Sequence, residues 1–102
     1  MAMNRREHIM TCITEECSEI QKIITKSLRF GLHDFPPGKE KTNLQHLREE
    51  VIDLIATLAM LENEDGVEIF FEPREAEILI GEKIQKVERF MEYAERQGTL
   101  NG

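Results

Sequence analysis

The sequence has no tryptophan, one tyrosine, two cysteines and three prolines among 102 residues. Two cysteines do not make a disulfide scaffold, and Cys12 and Cys17 fall on one expected helix in poor register for bridging each other. With no signal-peptide pattern at its start, the chain reads as a protein of a reducing compartment, and the expected location is cytoplasmic. Long hydrophobic runs are also lacking. The longest, Val51 to Leu61, is interrupted by Asp53 and is too short to cross a bilayer. There is no basic excess: 20 acids against 13 lysines and arginines leave a net charge of −7. That balance argues against a nucleic-acid polymer or an anionic membrane as partner. Glycine-rich phosphate loops and serine-nucleophile motifs are absent. His8, His33 and His46 have no paired spacing with one another or with the cysteines, so no zinc site is expected.

What the chain does have is helical periodicity in three long stretches. Asn4 with Glu7 has the form of a capping box and opens a first helix that runs to about Phe30, where Gly31 stops it. Residues 31–41 (GLHDFPPGKEK) hold two glycines and two prolines and are irregular. Thr42 with Gln45 is a second capping box, for a helix reaching roughly Asn63. Val67 to Phe71 reads equally as a short strand or a linker. Pro73 suits the first turn of a third helix and Gly98 its end, with Thr99 onward expected to fray. The fold class is therefore all-α, one domain over residues 1–102. The second helix is apolar nearly all round between Val51 and Leu61 and needs cover on most sides. Three helices of one chain supply too little, so dimerisation into a four-helix-type core is expected.

Acidic residues interrupt the apolar stripes of the first two helices. In the first, Ile9, Ile13, Ile20, Ile24 and Leu28 form a stripe, and Glu16 lies inside it. In the second, Leu47, Leu54, Leu58 and Leu61 do the same around Glu50. Glu19 follows Glu16, and Asp53 follows Glu50, by three positions, so each helix presents two carboxylates one turn apart. Glutamate is a good helix former, and the spacing alone fits a solvated face. Position argues otherwise, because a solvated acid sits opposite an apolar stripe rather than within it. Heights agree too: Glu16 and Glu19 precede Gly31 by 15 and 12 residues, while Glu50 and Asp53 follow Thr42 by 8 and 11. An antiparallel hairpin brings the two pairs nearly level. Four converging carboxylates repel one another and raise each other's pKa values unless a cation offsets them. An all-oxygen cluster selects a hard ion, Mg²⁺, with Mn²⁺ as a substitute.

A basic track, Lys22, Lys26 and Arg29, continues from Glu19 along one side of the first helix. Cations beyond a metal cluster suit a chain of phosphates, although Lys22 and Lys26 equally fit simple pairing with exposed acids. Phe30, at the end of the track, is placed to stack on a base.

The segments Glu15-Glu16-Cys17-Ser18-Glu19 and Glu50-Val51-Ile52-Asp53 together resemble the EExxE…ExxD signature of the MazG-like all-α nucleotide pyrophosphohydrolases. Lys26-Ser27-Leu28-Arg29-Phe30-Gly31 is similar to the segment that follows the first motif in small members, and Lys83 through Tyr93 to their last helix. The resemblance implies a magnesium-dependent enzyme that converts a nucleoside triphosphate to the monophosphate and pyrophosphate, built as a homodimer or homotetramer. Carried over by position, Glu16, Glu19, Glu50 and Asp53 are the implied metal ligands, with Glu15 as a further catalytic residue beside them. Lys26 and Arg29, then Lys83, Lys86 and Tyr93, are implied in substrate binding. Two other functions remain open at this point: a non-catalytic helical interaction module working through the second helix, and a nucleotide or metal binder without turnover.

Overall fold

Both capping boxes form, and they fix where the first two helices begin. Asn4 accepts a hydrogen bond from the Glu7 amide while the Glu7 carboxylate accepts from the Asn4 amide, and α1 runs Arg5–Phe30. Thr42 and Gln45 repeat the arrangement at the start of α2, Asn43–Glu62. At α3, Pro73–Arg96, the cap is Glu72, whose carboxylate accepts from the Arg74 and Glu75 amides ahead of a proline that needs no partner. The structure, a computed structural model, describes residues 2–101. Among them it is three helices without a strand, an all-α protein. Val67 to Phe71 is irregular, and the Ile69 amide donates to the Glu62 carboxylate. The chain divides into two units, Met1–Ile69 and Phe70–Gly102.

The first unit is a helical hairpin. Residues 31–42 fold onto the start of α2, where the first amides of a helix have no partner within it. Asp34 and Leu32 carbonyls accept from the Asn43 and Leu44 amides, at 2.9 and 2.8 Å. The Asn43 side chain, only 2% exposed, donates to the Gly31 carbonyl at 3.0 Å. Gly31 itself has φ +105°, a backbone region that L side chains avoid. At the far end Arg6 donates to the Asp65 carbonyl and Arg5 pairs with Glu64. The two ends together make α1 and α2 antiparallel neighbours. Replacing Asn43 with alanine leaves the Gly31 carbonyl without its donor, so the unfolding free energy is expected to fall by about 1–3 kcal/mol in a denaturant titration.

The inward line of α1 is Ile9, Ile13, Glu16, Ile20, Ile23 and Ser27, and that of α2 is Asn43, Leu47, Glu50, Leu54, Thr57 and Leu61; all are buried or half-buried. Both lines alternate steps of four and three, the period that keeps one seam facing a neighbouring helix. Ile24 and Leu28, expected to end the α1 stripe, are instead exposed, Leu28 by 83%. Each successive step of four overshoots a turn by about 40°, so 20, 24, 28 winds away from the seam while Ile23 and Ser27 stay in it. The core is thin. Ile9 and Ile23 are its buried apolar side chains, while Val51, Ile52 and Ile55 on the far side of α2 are exposed.

The second unit is built on α3, which has no buried residue. Ile80, Ile84, Val87 and Met91 form an apolar stripe open along its length. After Arg96 the chain does not simply fray: Gly98 takes φ +77°, and the Thr99 and Leu100 amides both turn back to the Ala94 carbonyl.

Candidate metal centre

The seam places two of its own positions, Glu16 of α1 and Glu50 of α2, against each other inside a mostly apolar line. Asp53, one turn beyond Glu50 and exposed, joins them from the flank. One carboxylate oxygen from each of the three lies within 4.8 Å of the others. Among the described residues no lysine or arginine is at ion-pairing distance from any of them; the nearest such pair on α1 is Lys22 with Glu19, at 4.0 Å.

The electrostatic consequence falls on Glu50. Burial against the seam, then a hydrogen bond with Glu16, then the charges of Glu16, Asp53 and Glu19 push its pKa up from 4.5 to about 7. Every contribution has the same sign. Near neutral pH Glu50 is therefore still partly protonated, and that proton is shared with Glu16. A divalent cation fits where that proton works. One oxygen from each of the three acids lies within 4.8 Å of the others, close enough that Glu16, Glu50 and Asp53 would share one hard ion. Three carboxylates and no sulfur or imidazole make a donor set for Mg²⁺ or Mn²⁺ rather than zinc.

The other expected site residues are placed as follows. Glu19 is exposed and outside the three-oxygen cluster, but its charge reaches Glu50. Glu15 is exposed and stands outside the cluster. Lys26 is exposed on the same helix. Arg29 lies about 20 Å along the axis from Glu16 by helical rise. Its guanidinium covers the Phe30 ring at 4.8 Å, so a base stacking on Phe30 would have to displace it or take the other face. Lys83, Lys86 and Tyr93 belong to α3. There Lys86, Arg89, Phe90 and Tyr93 line a cavity of about 400 Å³.

A shallow groove of about 740 Å³ runs along α2 from Lys41 to Asp53, with Gln45 and Arg48 on its wall. Apart from Asp53 of the acidic motif and Gln45 of the capping box, no sequence motif singled out its polar lining. The only signal was that Gln45, Arg48, Glu49 and Ile52 share the α2 face away from the apolar seam. Glu49 is paired with Lys41, whose hydrogen bond lowers the Glu49 pKa.

The chain matches no family model, no curated protein and no solved structure.

Proposed function

We propose that this chain is a divalent-metal-dependent nucleoside triphosphate pyrophosphohydrolase of the MazG-like kind, taking an NTP or dNTP and water to the monophosphate and pyrophosphate. The observation that carries the reading is the convergence of Glu16, Glu50 and Asp53 within 4.8 Å, at the one place in the hairpin seam where acids replace apolar side chains. Holding three carboxylates together without a cation has a cost, visible in the proton that Glu50 retains. A fold that keeps that cost gains from it only when a cation is bound.

Glu16, Glu50 and Asp53 would hold the ion, with Glu19 one turn along α1 completing the acidic rim. When bound, Mg²⁺ supplies Lewis acidity and charge neutralisation toward a phosphate chain. The protein does the rest by placement. Asp53, exposed at the edge of the cluster, faces the solvent from which a triphosphate arrives. Lys22 and Lys26 stand one and two turns beyond Glu19, on the side where phosphates leaving the cluster would extend. Glu15, next to Glu16 and exposed, would be the carboxylate to accept a proton from a water at the cluster. The exposed apolar faces of α2 and α3 support assembly as a homodimer or homotetramer in the cytoplasm.

Incubation with a panel of NTPs and dNTPs, with Mg²⁺, Mn²⁺ or EDTA, tests the reading. Pyrophosphate and the monophosphate are expected with either metal and neither product with EDTA. Nucleotide binding without turnover would reduce the protein to a binder, and neither binding nor turnover would leave a helical interaction module.

A further inference from the structure

At the end of the hairpin away from the 31–42 loop, a cavity of about 430 Å³ opens between the start of α1 and the last turns of α2. Four of its lining side chains end in sulfur or imidazole: Met3, His8, Cys12 and Met60. The step of four from His8 to Cys12 is a pairing on one helix face that zinc spacing does not reveal, since two such ligands complete no zinc site. Cys12 is a free, half-buried thiol. Met3 reaches the pair through a contact of its own. The Thr11 hydroxyl donates to its sulfur at 3.4 Å, and Thr11 is next to Cys12 and three residues from His8, so the thioether lies against the same patch of α1. Met60 comes from α2. The two methionines are 58% and 42% exposed, while Ile9 fills the core beneath them at 2%. Their sulfurs therefore stand at the mouth of the cavity rather than in the packing.

We propose that this cavity is a binding site for Cu(I), held by the Cys12 thiolate, the His8 imidazole and the thioethers of Met3 and Met60. Thiolate and thioether donors select Cu(I) over harder ions, and imidazole binds copper as well. The charge count agrees. Cys12 brings the single negative charge among the four donors and Cu(I) a single positive one, while Arg5, also on the lining, is paired with Glu64 at 3.5 Å. On binding, a Cu–S bond forms as the Cys12 S–H bond breaks, the proton passes to solvent, and no electron changes hands. The site is distinct from the carboxylate cluster. Glu16 follows Cys12 by four residues, about 6 Å along the axis, and the cluster there offers oxygen alone. An ion shared by Cys12 and Met60 also ties the first turns of α1 to the end of α2.

Anaerobic titration of the full chain with Cu(I), ascorbate as reductant and bicinchoninate as the competing chelator, measures the site. The wild type is expected to take up one equivalent. Cys12→Ser is expected to weaken uptake about 100-fold or more, and Met60→Leu, which keeps the bulk and removes the sulfur, about tenfold. Cys17→Ser is expected to leave uptake unchanged, because Cys17 is exposed and outside the cavity. Far-ultraviolet circular dichroism checks that the variants remain helical. A second readout needs no substitution. With Ag⁺ as a spectroscopic stand-in, the Met3 and Met60 methyl resonances of the wild type are expected to shift over the first equivalent, and those of Met10 and Met91 to stay in place. Absence of uptake, uptake lost in Cys17→Ser, or Met3 and Met60 methyls that do not move overturns the proposal, the last by reducing the site to a single thiol. No nucleotide enters the experiment, so its outcome is independent of the pyrophosphohydrolase reading.

Discussion

Replacing Glu50 with glutamine is expected to lower pyrophosphate release by about 10³-fold or more while leaving the helical hairpin intact. Both halves of the expectation come from the same proton. Without metal, Glu50 keeps its proton up to about pH 7 and in that form shares a hydrogen bond with Glu16. Glutamine has the same shape, is neutral at every pH, and offers an N–H to the same acceptor. It therefore reproduces the metal-free state and cannot take the charged, ligating form. Asp53→Asn is expected to lose activity comparably, because on the proposed reading it removes one of the three carboxylates that would share a cation. Asp53 is exposed, so its replacement disturbs packing even less. Steady-state turnover with Mg²⁺, read beside far-ultraviolet circular dichroism, checks both variants. Near-normal turnover in either one would remove that residue from the centre.

Much of the hairpin was legible before any coordinates because its ends are written in local chemistry. Asn4 with Glu7 and Thr42 with Gln45 each satisfy two amides reciprocally, a requirement that does not depend on the rest of the fold. The acids were legible for a related reason: Glu16 and Glu50 occupy seam positions, and an apolar period with a charge inside it is a conflict readable in one dimension. The exact seam was less so. Ile24 and Leu28 satisfy a helical spacing as well as Ile23 and Ser27 do, and only the straightness of the contact line with α2 selects the second pair. The roles of Glu16, Asp53 and Glu19 diverge for a similar reason. All belong to the motif, yet Glu19 stands outside the three-oxygen cluster and 4.0 Å from Lys22, and one turn of a helix cannot tell which of two carboxylates faces a neighbour. Gly98 was legible as the end of α3, but the turn of Thr99 and Leu100 was missed because it depends on two amides reaching back to Ala94, a contact that composition does not announce.

The stability of the metal-free protein is expected to fall as the pH rises from about 5 to about 7.5, and Mg²⁺ is expected to reverse that fall. A carboxyl normally near 4.5 that titrates at about 7 in the folded chain binds its proton more tightly folded than unfolded. Its contribution is thus fully present below the unfolded value and is lost as the pH climbs through the folded one. Glu49, whose pKa is lowered by Lys41, acts in the opposite sense, but only in the acid range below 4.5, so it does not enter this window. Above pH 7 the deprotonated cluster is at its most repulsive and also at its most receptive, since metal ligands must be charged to bind. At 100 times its dissociation constant, Mg²⁺ is expected to add about 2.7 kcal/mol. For a domain of this size that raises the melting temperature by roughly 10–20 °C. Binding near pH 6.5 should release a proton, and the shift should shrink toward pH 5 as Glu50 holds its own. Thermal unfolding from pH 5 to 8.5, with EDTA or with Mg²⁺, measures all of this. In Glu50→Gln the dependence above pH 5 should flatten and most of the Mg²⁺ shift should vanish, leaving that variant more stable than wild type at pH 8 in EDTA. An equal Mg²⁺ shift in both proteins would place the ion elsewhere, and a wild type that gains stability with rising pH would mean that no proton is shared between Glu16 and Glu50.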